Sequence, residues 1–409
     1  MGEDDPLIVT PSGSAGSPTR KRVTVGLERL LQYPAPLRGK RLGLIVNPTS
    51  IDREFRHAAD RLAALAETEL AVLFAPEHGI RGHAQDQIEI GDEVDARTAL
   101  PVKSLYGPER IPSPTELAGV DVLVFDIQDV GSRYYTFIWT MAHAMEACAR
   151  EGLSMIVCDR PNPISGELVE GNLIQATHRS FVGLYPIPNR HGLTVGELAR
   201  LFNEEFGIGC DLMVIPMEGW RRPSWLDETD LPWVMPSPNM PTLDTATVYP
   251  GACLIEGTNL SEGRGTTRPF EIVGAPWIDA YRLVSELEKE ELPGVVFRPL
   301  QFQPTFHKFA GQVCGGLQQH VLDRRAYRPL RTGISIVSAT RRLWPREFAW
   351  RPPPYEYENE RLAFDILAGN DTVRNQIEGN VPPAEIEKTW QPDVARFKRL
   401  SEPYLLYGK

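Results

Sequence analysis

The sequence lacks the patterns of several common protein classes. Its five cysteines are scattered singly, without a CxxC pair, so neither a zinc site nor a disulfide framework is expected. No apolar run reaches the roughly 20 residues that a membrane span needs. The formal net charge is −11, which argues against a nucleic-acid backbone or an anionic membrane as the main partner. We therefore expect no membrane insertion and no nucleic-acid binding.

Motifs for cofactors and for several hydrolytic centres are also missing. The sequence has no GxxxxGK[ST] phosphate loop, no GxSxG nucleophile elbow and no HExxH zinc motif. Its eight histidines show no metal-ligand spacing. We expect no metal and no cofactor. Residues 1–22 lack a hydrophobic segment of signal-peptide length, which predicts a flexible leader and a cytoplasmic location.

The first half of the chain alternates apolar runs with segments of helical periodicity. The predicted strands are Leu42–Val46, Leu70–Ala75, Val122–Phe125, Leu153–Cys158 and Leu212–Ile215. The predicted helices between them are Phe55–Glu67, Thr136–Arg150 and Thr194–Phe206, the last opened by a capping box of Thr194 and Glu197. Strands that are apolar on both faces and alternate with helices predict a parallel sheet covered on two sides.

The second half is richer in proline, glycine and polar loops, and it predicts a smaller α+β domain. A helix is predicted at Tyr281–Glu291, a strand near Gln312–Val321 and a short helix at Phe364–Ala368. The fold class is therefore α/β. We predict a leader at 1–22, a Rossmann-like catalytic domain at 23–235 and an auxiliary α+β domain at 236–409.

In open α/β sheets, ligands bind beyond the carboxyl ends of the strands, so the residues after each apolar run are candidates for the site. Glu77 follows a predicted strand directly, with Pro76 before it and Gly79 after it. A half-desolvated carboxyl there would have a raised pKa and could act as a general acid. The alternatives are a capping or ion-paired glutamate, and a structural role for the neighbouring His78.

Two carboxylates, Asp126 and Asp129, follow the third predicted strand and lie near Arg133 in the sequence. They could hold a sugar, and Tyr134 begins a set of aromatic residues suited to stacking on a sugar ring. Alternatively, Asp126 caps the next element and Asp129 pairs with Arg133. The loops after the first and fourth predicted strands add Asn47 and Asn162.

The segment EGTNLSEGRGTTRPF, Glu256–Phe270, concentrates charged and polar groups among glycines. Its candidate residues are Asn259, Glu262 and Arg264. Such a loop can approach a ligand closely and offers both donors and acceptors. As a phosphate cradle it fails, because its GxG lacks the third glycine.

Several long motifs in order resemble the exo-β-N-acetylmuramidase family, a group of glycoside hydrolases. They are LGLIVNPTS (42–50), FAPEHGIRG (74–82), DVLVFDIQDVGSRYYTF (121–137), DRPNPISG (159–166), WVMPSPNMPT (233–242), EGTNLSEGRGTTRPFE (256–271) and FDILAG (364–369). The match covers nearly the whole chain from about residue 23. The resemblance implies a Rossmann-like domain, an auxiliary domain and an active-site cleft between them.

The resemblance also implies a reaction, namely release of a non-reducing terminal N-acetylmuramic acid from peptidoglycan-derived saccharides in cell-wall recycling. The glutamate of the EHG motif falls on Glu77, the expected general acid. The candidates for a second catalytic carboxylate are Glu146, Glu262 and Asp129. The lactyl carboxylate of muramic acid needs a cationic or amide-rich pocket, for which the suppliers are Arg133, Arg190, His191 and Arg264. Asn47, His78, Tyr134, Asn162, Asn239 and Asn259 complete the predicted substrate-binding set.

Two alternatives remain open from the sequence. One is another exo-hexosaminidase on the same scaffold, acting on N-acetylglucosamine. The other is a non-catalytic binder of peptidoglycan fragments, which a ligand would stabilise without any product. The sequence gives neither the oligomeric state nor the stereochemical outcome.

Overall fold

The computed structural model describes residues 20–77, 79–80, 93–106 and 110–408. The predicted leader therefore lies almost wholly outside the described residues, as does His78. Within the described ranges, no helix is both long enough and apolar enough to cross a membrane.

A seven-stranded sheet forms the first half of the protein. Its strands are β1 (Arg41–Val46), β2 (Glu69–Ala75), β3 (Glu93–Val94), β4 (Pro101–Ser104), β5 (Val122–Asp126), β6 (Ser154–Cys158) and β7 (Asp211–Ile215). The spatial order is β3-β4-β2-β1-β5-β6-β7, and every neighbouring pair is parallel except β3 with β4. The five predicted strands are confirmed. The short β3 and β4 were not predicted, because two residues and a Pro-Val-Lys-Ser segment show no apolar run.

Alternate residues of the central strands pack on opposite faces of the sheet. In β5, Leu123 and Phe125 belong to one hydrophobic cluster, while Val122 and Val124 belong to the other. All five residues of β5 are buried. Burial on both faces is what a parallel sheet between two helical layers requires.

The helices of this half are α1 (Gly26–Gln32), α2 (Ala58–Ala63), α3 (Phe137–Glu151) and α4 (Val195–Glu204). The predicted capping box is confirmed: the Thr194 hydroxyl accepts from the Glu197 amide at 3.2 Å, and the Glu197 carboxylate accepts from the Thr194 amide at 3.0 Å. The predicted helix at Phe55–Glu67 is too long. Phe55 has a φ of +60°, outside the helical region, and α2 begins after His57.

The second half contains a three-stranded antiparallel sheet of order β8-β10-β9, with β8 at Ile272–Ala275, β9 at Val295–Phe302 and β10 at Cys314–Val321. Its helices are α5 (Leu243–Ala252), α6 (Ala280–Glu288), α7 (Pro329–Leu343), α8 (Ala363–Ala368), α9 (Thr372–Glu378), α10 (Pro383–Thr389) and α11 (Gln391–Ser401). The predictions near 281, 312 and 364 correspond to α6, β10 and α8. The other elements of this half were not predicted, namely α5, β8, β9, α7 and the three helices after α8.

One hydrophobic cluster runs through both halves. It includes Phe125 and Trp139 from the first half, and Leu317, Phe364 and Phe397 from the second. The two halves therefore share a core, which fixes the relative position of the loops that each contributes to the site. The predicted domain bounds at 23–235 and 236–409 stay predictions.

Candidate active site

The carboxyl ends of the parallel strands meet at one edge of the sheet. The last residues of β1 and β5, Val46 and Asp126, are paired neighbours. The adjacent β2 ends at Ala75, so Glu77 leaves the sheet at the same edge. Gly79 then turns the chain with a φ of +76°, a conformation that glycine adopts without steric cost. The turn expected after Glu77 is confirmed.

A cavity that is partly open to solvent lies beside this edge. Both halves of the chain line it, which places it where the resemblance predicts a cleft. Among the described lining residues, the acidic ones are Glu77, Glu256 and Glu356, and the basic one is Arg264. The cavity brings together four of the predicted site residues, namely Glu77, Tyr134, Asn239 and Arg264.

Glu77 is half-buried at the cavity wall. Its Oε2 accepts a hydrogen bond of 3.1 Å from the Thr136 hydroxyl, just before α3. Burial, and next the charge of Glu77, raise the pKa of the Tyr106 phenol far above its usual value. A carboxyl with one neutral donor among the described partners, facing a cavity, can exchange a proton with a bound ligand.

Glu256 lies in a 3₁₀ turn, Cys253–Gly257, and is 5% exposed. Its Oε1 accepts from Arg264 Nη2 and its Oε2 accepts from the Tyr355 hydroxyl, each at 2.8 Å. Burial, and then the charge of Glu256, raise the pKa of Tyr355 well above its usual value. Tyr355 therefore keeps its proton and donates it. Donors on both oxygens fix the orientation of the Glu256 carboxylate.

Glu262, a predicted second catalytic carboxylate, lies behind this wall and is fully buried. Lys308 Nζ contacts its Oε2 at 2.9 Å, while His307 Nδ1 and Arg264 Nε contact its Oε1 at 3.1 and 3.4 Å. Burial alone would raise the pKa of Glu262, but Lys308, the His307 hydrogen bond and Arg264 together hold it well below the ordinary 4.5. The geometry gives Glu262 a supporting position rather than a place at the cavity.

Aromatic side chains form much of the cavity wall. Tyr249 packs edge-on against Tyr134, Tyr135 and Phe270, with ring centroids 4.8 to 6.1 Å apart. The Tyr134 hydroxyl donates to the Pro250 carbonyl at 2.9 Å, so its ring is fixed in the wall.

Trp139, which follows Tyr134 and Tyr135 in the sequence, lies in the hydrophobic core rather than at the cavity. Trp139 is fully buried and stacks on Phe202, with ring centroids 5.5 Å apart. It belongs to the core and offers no surface to a sugar.

Asp129, another predicted catalytic carboxylate, is buried in contacts with its own loop and a neighbouring one. Its Oδ2 accepts from the Gly131 amide at 2.7 Å and lies 3.1 Å from His191 Nε2. Because His191 Nδ1 accepts from the Leu193 amide at 3.2 Å, its Nε2 carries the proton and donates to Asp129. The alternative pairing of Asp129 with Arg133 is wrong. Asp129 and His191 hold two loops together and lie outside the cavity lining.

Arg133, predicted to bind the lactyl group, is fully buried and serves the fold instead. Its Nη1 donates to the carbonyls of Asn172 and Ile187, each at 2.8 Å. Its Nη2 donates to the carbonyls of Leu367 and Ala368, each at 3.0 Å. Four main-chain carbonyls thus accept from the two terminal nitrogens of this guanidinium, and burial lowers its pKa to about 10.

Arg190, also predicted as a lactyl ligand, is buried away from the cavity. Its Nη2 donates to the Ile164 carbonyl at 2.5 Å, and its Nη1 lies 3.4 Å from Glu170.

Asp126 does not cap a helix, as one alternative held. It forms a buried bidentate pair with Arg160 at 2.6 and 2.8 Å. Charged residues near strand ends are thus used mainly to join loops.

Glu146, a third predicted catalytic carboxylate, lies on α3 nine residues after the cavity-lining Phe137. Its Oε1 accepts from the Tyr185 hydroxyl at 2.9 Å, and its Oε2 lies 3.0 Å from His143 Nδ1. At 1.5 Å per residue, nine residues separate Glu146 from Phe137 by about 13 Å along the helix. The geometry does not bring Glu146 to the cavity.

Three of the predicted asparagines also fix the backbone. Asn47 Oδ1 accepts from Thr49, and Asn162 Nδ2 donates to the Leu193 carbonyl at 3.0 Å. Asn259 Nδ2 donates to the Glu347 carbonyl at 2.8 Å. Only Asn239 of the predicted asparagines lines the cavity. The prediction for His78 lies outside the described residues.

Sequence reasoning missed two of the cavity residues, Tyr355 and Glu356. They follow three consecutive prolines, and both Glu356 and Tyr357 have positive φ values, +46° and +64°. No strand end or helical period marks this loop. Glu256 had a signal, since it opens the unusual glycine-rich segment, but no feature of that segment separates it from Glu262.

Comparison with known proteins adds an independent observation. The family model described as "Exo-beta-N-acetylmuramidase NamZ, N-terminal" matches residues 42–244, and that of the C-terminal part matches residues 247–407. The chain belongs to the exo-β-N-acetylmuramidase NamZ family. The resemblance found from the motifs is confirmed.

Relatives of this NamZ-family chain support the assignment over its whole length. It is 44% identical over 399 residues to the peptidoglycan β-N-acetylmuramidase NamZ of Bacillus subtilis strain 168, covering 97% of this chain and 94% of the relative. Two crystal structures of DUF1343 family proteins from Bacteroides fragilis NCTC 9343 share the fold. One has a TM-score of 0.85 at 35% identity, over 94% of this chain and 99% of the other. The second has a TM-score of 0.76 at 30% identity, over 95% and 99%.

Proposed function

We propose that this protein is an exo-acting β-N-acetylmuramidase that removes N-acetylmuramic acid from the non-reducing end of peptidoglycan fragments. The observation that carries the proposal is the cavity at the carboxyl edge of the sheet, with carboxylates and a guanidinium in an aromatic wall. The B. subtilis relative, which this chain matches over 94% of the relative's length, is named a peptidoglycan β-N-acetylmuramidase.

Glu77 is the general acid in this proposal. It reaches the cavity from the end of β2, and the Thr136 hydroxyl fixes one of its oxygens. In a glycosidase, such a group protonates the glycosidic oxygen as the bond to the anomeric carbon breaks.

The cavity also suits the substrate. Tyr134 and Tyr249 line the cavity, so the pyranose would pack against an aromatic wall. Arg264 is the cation among the described lining residues, so the lactyl carboxylate would lie against it.

The test compares two disaccharides that differ only in sugar order, one with N-acetylmuramic acid at the non-reducing end and one with N-acetylglucosamine there. We expect free muramic acid from the first and no cleavage of the second. Glu77→Gln should lower the rate on the first by about 10²–10⁴-fold.

Glu146→Gln serves as the comparison, because its carboxylate lies outside the cavity lining; we expect it to retain the wild-type rate. Cleavage of the second disaccharide alone would indicate a hexosaminidase of other specificity. Ligand-induced thermal stabilisation without product would indicate a binding protein.

A further inference from the structure

Glycoside hydrolysis generally requires a proton donor and a second carboxylate at the anomeric carbon. The two carboxyl groups lie about 5–9.5 Å apart. The proposed function supplies only the first. Two acidic residues besides Glu77 line the described part of the cavity, Glu256 and Glu356. They differ in burial and in backbone conformation.

Glu256 is the more deeply buried of the two. It is 5% exposed, whereas Glu356 is half-buried in a loop with left-handed backbone at 356 and 357. A cation and a phenol each donate to one oxygen of Glu256 at 2.8 Å. A carboxylate that must meet a reacting carbon needs its position fixed to within about 0.5 Å, and two short hydrogen bonds provide that.

We propose that Glu256 is the second catalytic carboxylate, and that Tyr355 and the buried Glu262–Arg264 pair position it. This inference rests on the proposed function. In the step, Glu77 gives its proton to the glycosidic oxygen and the C1–O bond breaks, its electron pair leaving with the aglycone. The new bond at C1 forms to an oxygen of Glu256, or to a water oxygen whose proton Glu256 takes.

The positioning residues form a connected set behind the wall. Arg264 lies between two carboxylates, with Nη2 on Glu256 and Nε near Glu262. Lys308 contacts Glu262 at 2.9 Å and also donates to the carbonyls of Thr258 and Leu260, at 3.0 and 2.9 Å. This half-buried lysine fixes the middle of the glycine-rich segment, so Arg264 cannot turn away from Glu256 without breaking several charged contacts.

A close approach of two loops makes the arrangement possible. Gly265 has a φ of +81°, and a Cβ there would lie 2.5 Å from the Phe306 carbonyl oxygen. The Thr305 amide donates to the Gly265 carbonyl at 2.9 Å. Only glycine permits this contact, which brings His307 and Lys308 over the Glu262 carboxylate.

The experiment uses two substrates of the full-length protein: the muramic-acid-terminated disaccharide and the 4-nitrophenyl β-glycoside of N-acetylmuramic acid. An activated phenol leaves without protonation, so Glu77→Gln should lose the disaccharide rate but keep most of the aryl-glycoside rate. Glu256→Gln should lose both, by about 10³-fold or more, because its role does not depend on the leaving group. Glu356→Gln should change either rate by less than about tenfold.

Glu197→Gln is the matched control, since Glu197 is also fully buried and paired with an arginine, Arg222, at 2.6 Å, but lies outside the cavity lining. Its thermal midpoint reports the cost of breaking such a pair, and its kcat should stay near wild type. Azide should restore turnover to Glu256→Ala by taking the place of the missing carboxylate, and should not restore it to Glu77→Gln on the disaccharide.

Tyr355→Phe tests whether Tyr355 positions Glu256, and this test remains available if the Glu256 variants fold poorly. We expect kcat to fall about tenfold with KM unchanged, and the acid limb of its pH profile to move to higher pH. The inference is overturned if a folded Glu256→Gln keeps more than a tenth of the aryl-glycoside rate, if Glu356→Gln shows the double loss, or if Tyr355→Phe changes neither kcat nor the profile. A wild-type protein inactive on both substrates would instead refute the proposed function.

Discussion

The buried guanidinium of Arg133 allows a strict test of whether a charged residue near a strand end binds substrate or holds the fold. Its four hydrogen bonds all go to main-chain carbonyls, two of them on α8, more than 230 residues away in the sequence. We expect Arg133→Met, which keeps much of the side-chain volume, to destabilise the protein and leave substrate affinity unchanged.

The size of the effect follows from the carbonyls left without a donor. Asn172 Nδ2 still donates to the Ala368 carbonyl at 2.8 Å and Asn189 Nδ2 to the Leu367 carbonyl at 3.4 Å, so the Asn172 and Ile187 carbonyls are the two that lose their described donor. Each buried acceptor that loses its partner costs about 1–3 kcal/mol, which gives about 2–6 kcal/mol, with about 4 kcal/mol at the middle of that range. The entropy of unfolding is about 2.1 cal/mol/K per residue near 60 °C, or roughly 0.9 kcal/mol/K for a chain of this length. A loss of about 4 kcal/mol therefore lowers Tm by about 5 °C.

Differential scanning calorimetry measures Tm, and initial rates on the muramic-acid-terminated disaccharide give KM. The control is Arg38→Met, because the Arg38 side chain is 67% exposed and its ion pair with Glu67 is at the surface; its Tm should change by about 1 °C or less. An unchanged Tm for Arg133→Met together with a tenfold higher KM would refute the structural role and return Arg133 to the substrate.

Two further predictions concern the loops around the cavity. Glu262→Gln should lower Tm at neutral pH, and its difference from wild type should shrink on acidification. The pKa of Glu262 in the folded protein is held below the ordinary 4.5. Its contribution to the free energy of unfolding is therefore complete above about pH 4.5 and is lost as the pH falls through the lower folded pKa. A Tm difference that is constant from pH 7 to pH 3 would contradict this. Gly131→Ala should destabilise the protein by about 2–4 kcal/mol, since its φ is +83° and a Cβ would lie 2.6 Å from Asn162 Oδ1. Gly152→Ala is the control, with a φ of +68° and open space around the added carbon, and equal urea midpoints for the two variants would contradict the clash.

The strands could be predicted from the sequence because each is a short apolar run buried on both faces. The edge strand β3 and its neighbour β4 could not be predicted, since β3 has only two residues, both exposed, and β4 has only four. The helix α2 was predicted too long because helical periodicity continues through Phe55, while the chain there adopts a left-handed φ.

The position of Glu77 could be predicted because a local signal marks it, a strand end followed by a glycine turn. The partners of the other charged residues could not be predicted, because contacts between distant segments of the chain determine them. Arg133 meets a carbonyl 234 residues away, and Tyr355 meets Glu256 at a separation of 99 residues. Near a strand end, a residue that joins loops and a residue that binds substrate have the same local pattern, so only the tertiary structure separates Asp129 and Glu262 from Glu256.

The most direct test of the account is a crystal structure of the Glu77→Gln variant soaked with the disaccharide that carries N-acetylmuramic acid at its non-reducing end. We predict density for the muramic acid within the cavity, with the glycosidic oxygen about 3 Å from the side chain of residue 77, a hydrogen-bond distance. Density for that sugar elsewhere, beside Asp129 or Glu146 for example, with residue 77 beyond reach of the glycosidic oxygen, would contradict it.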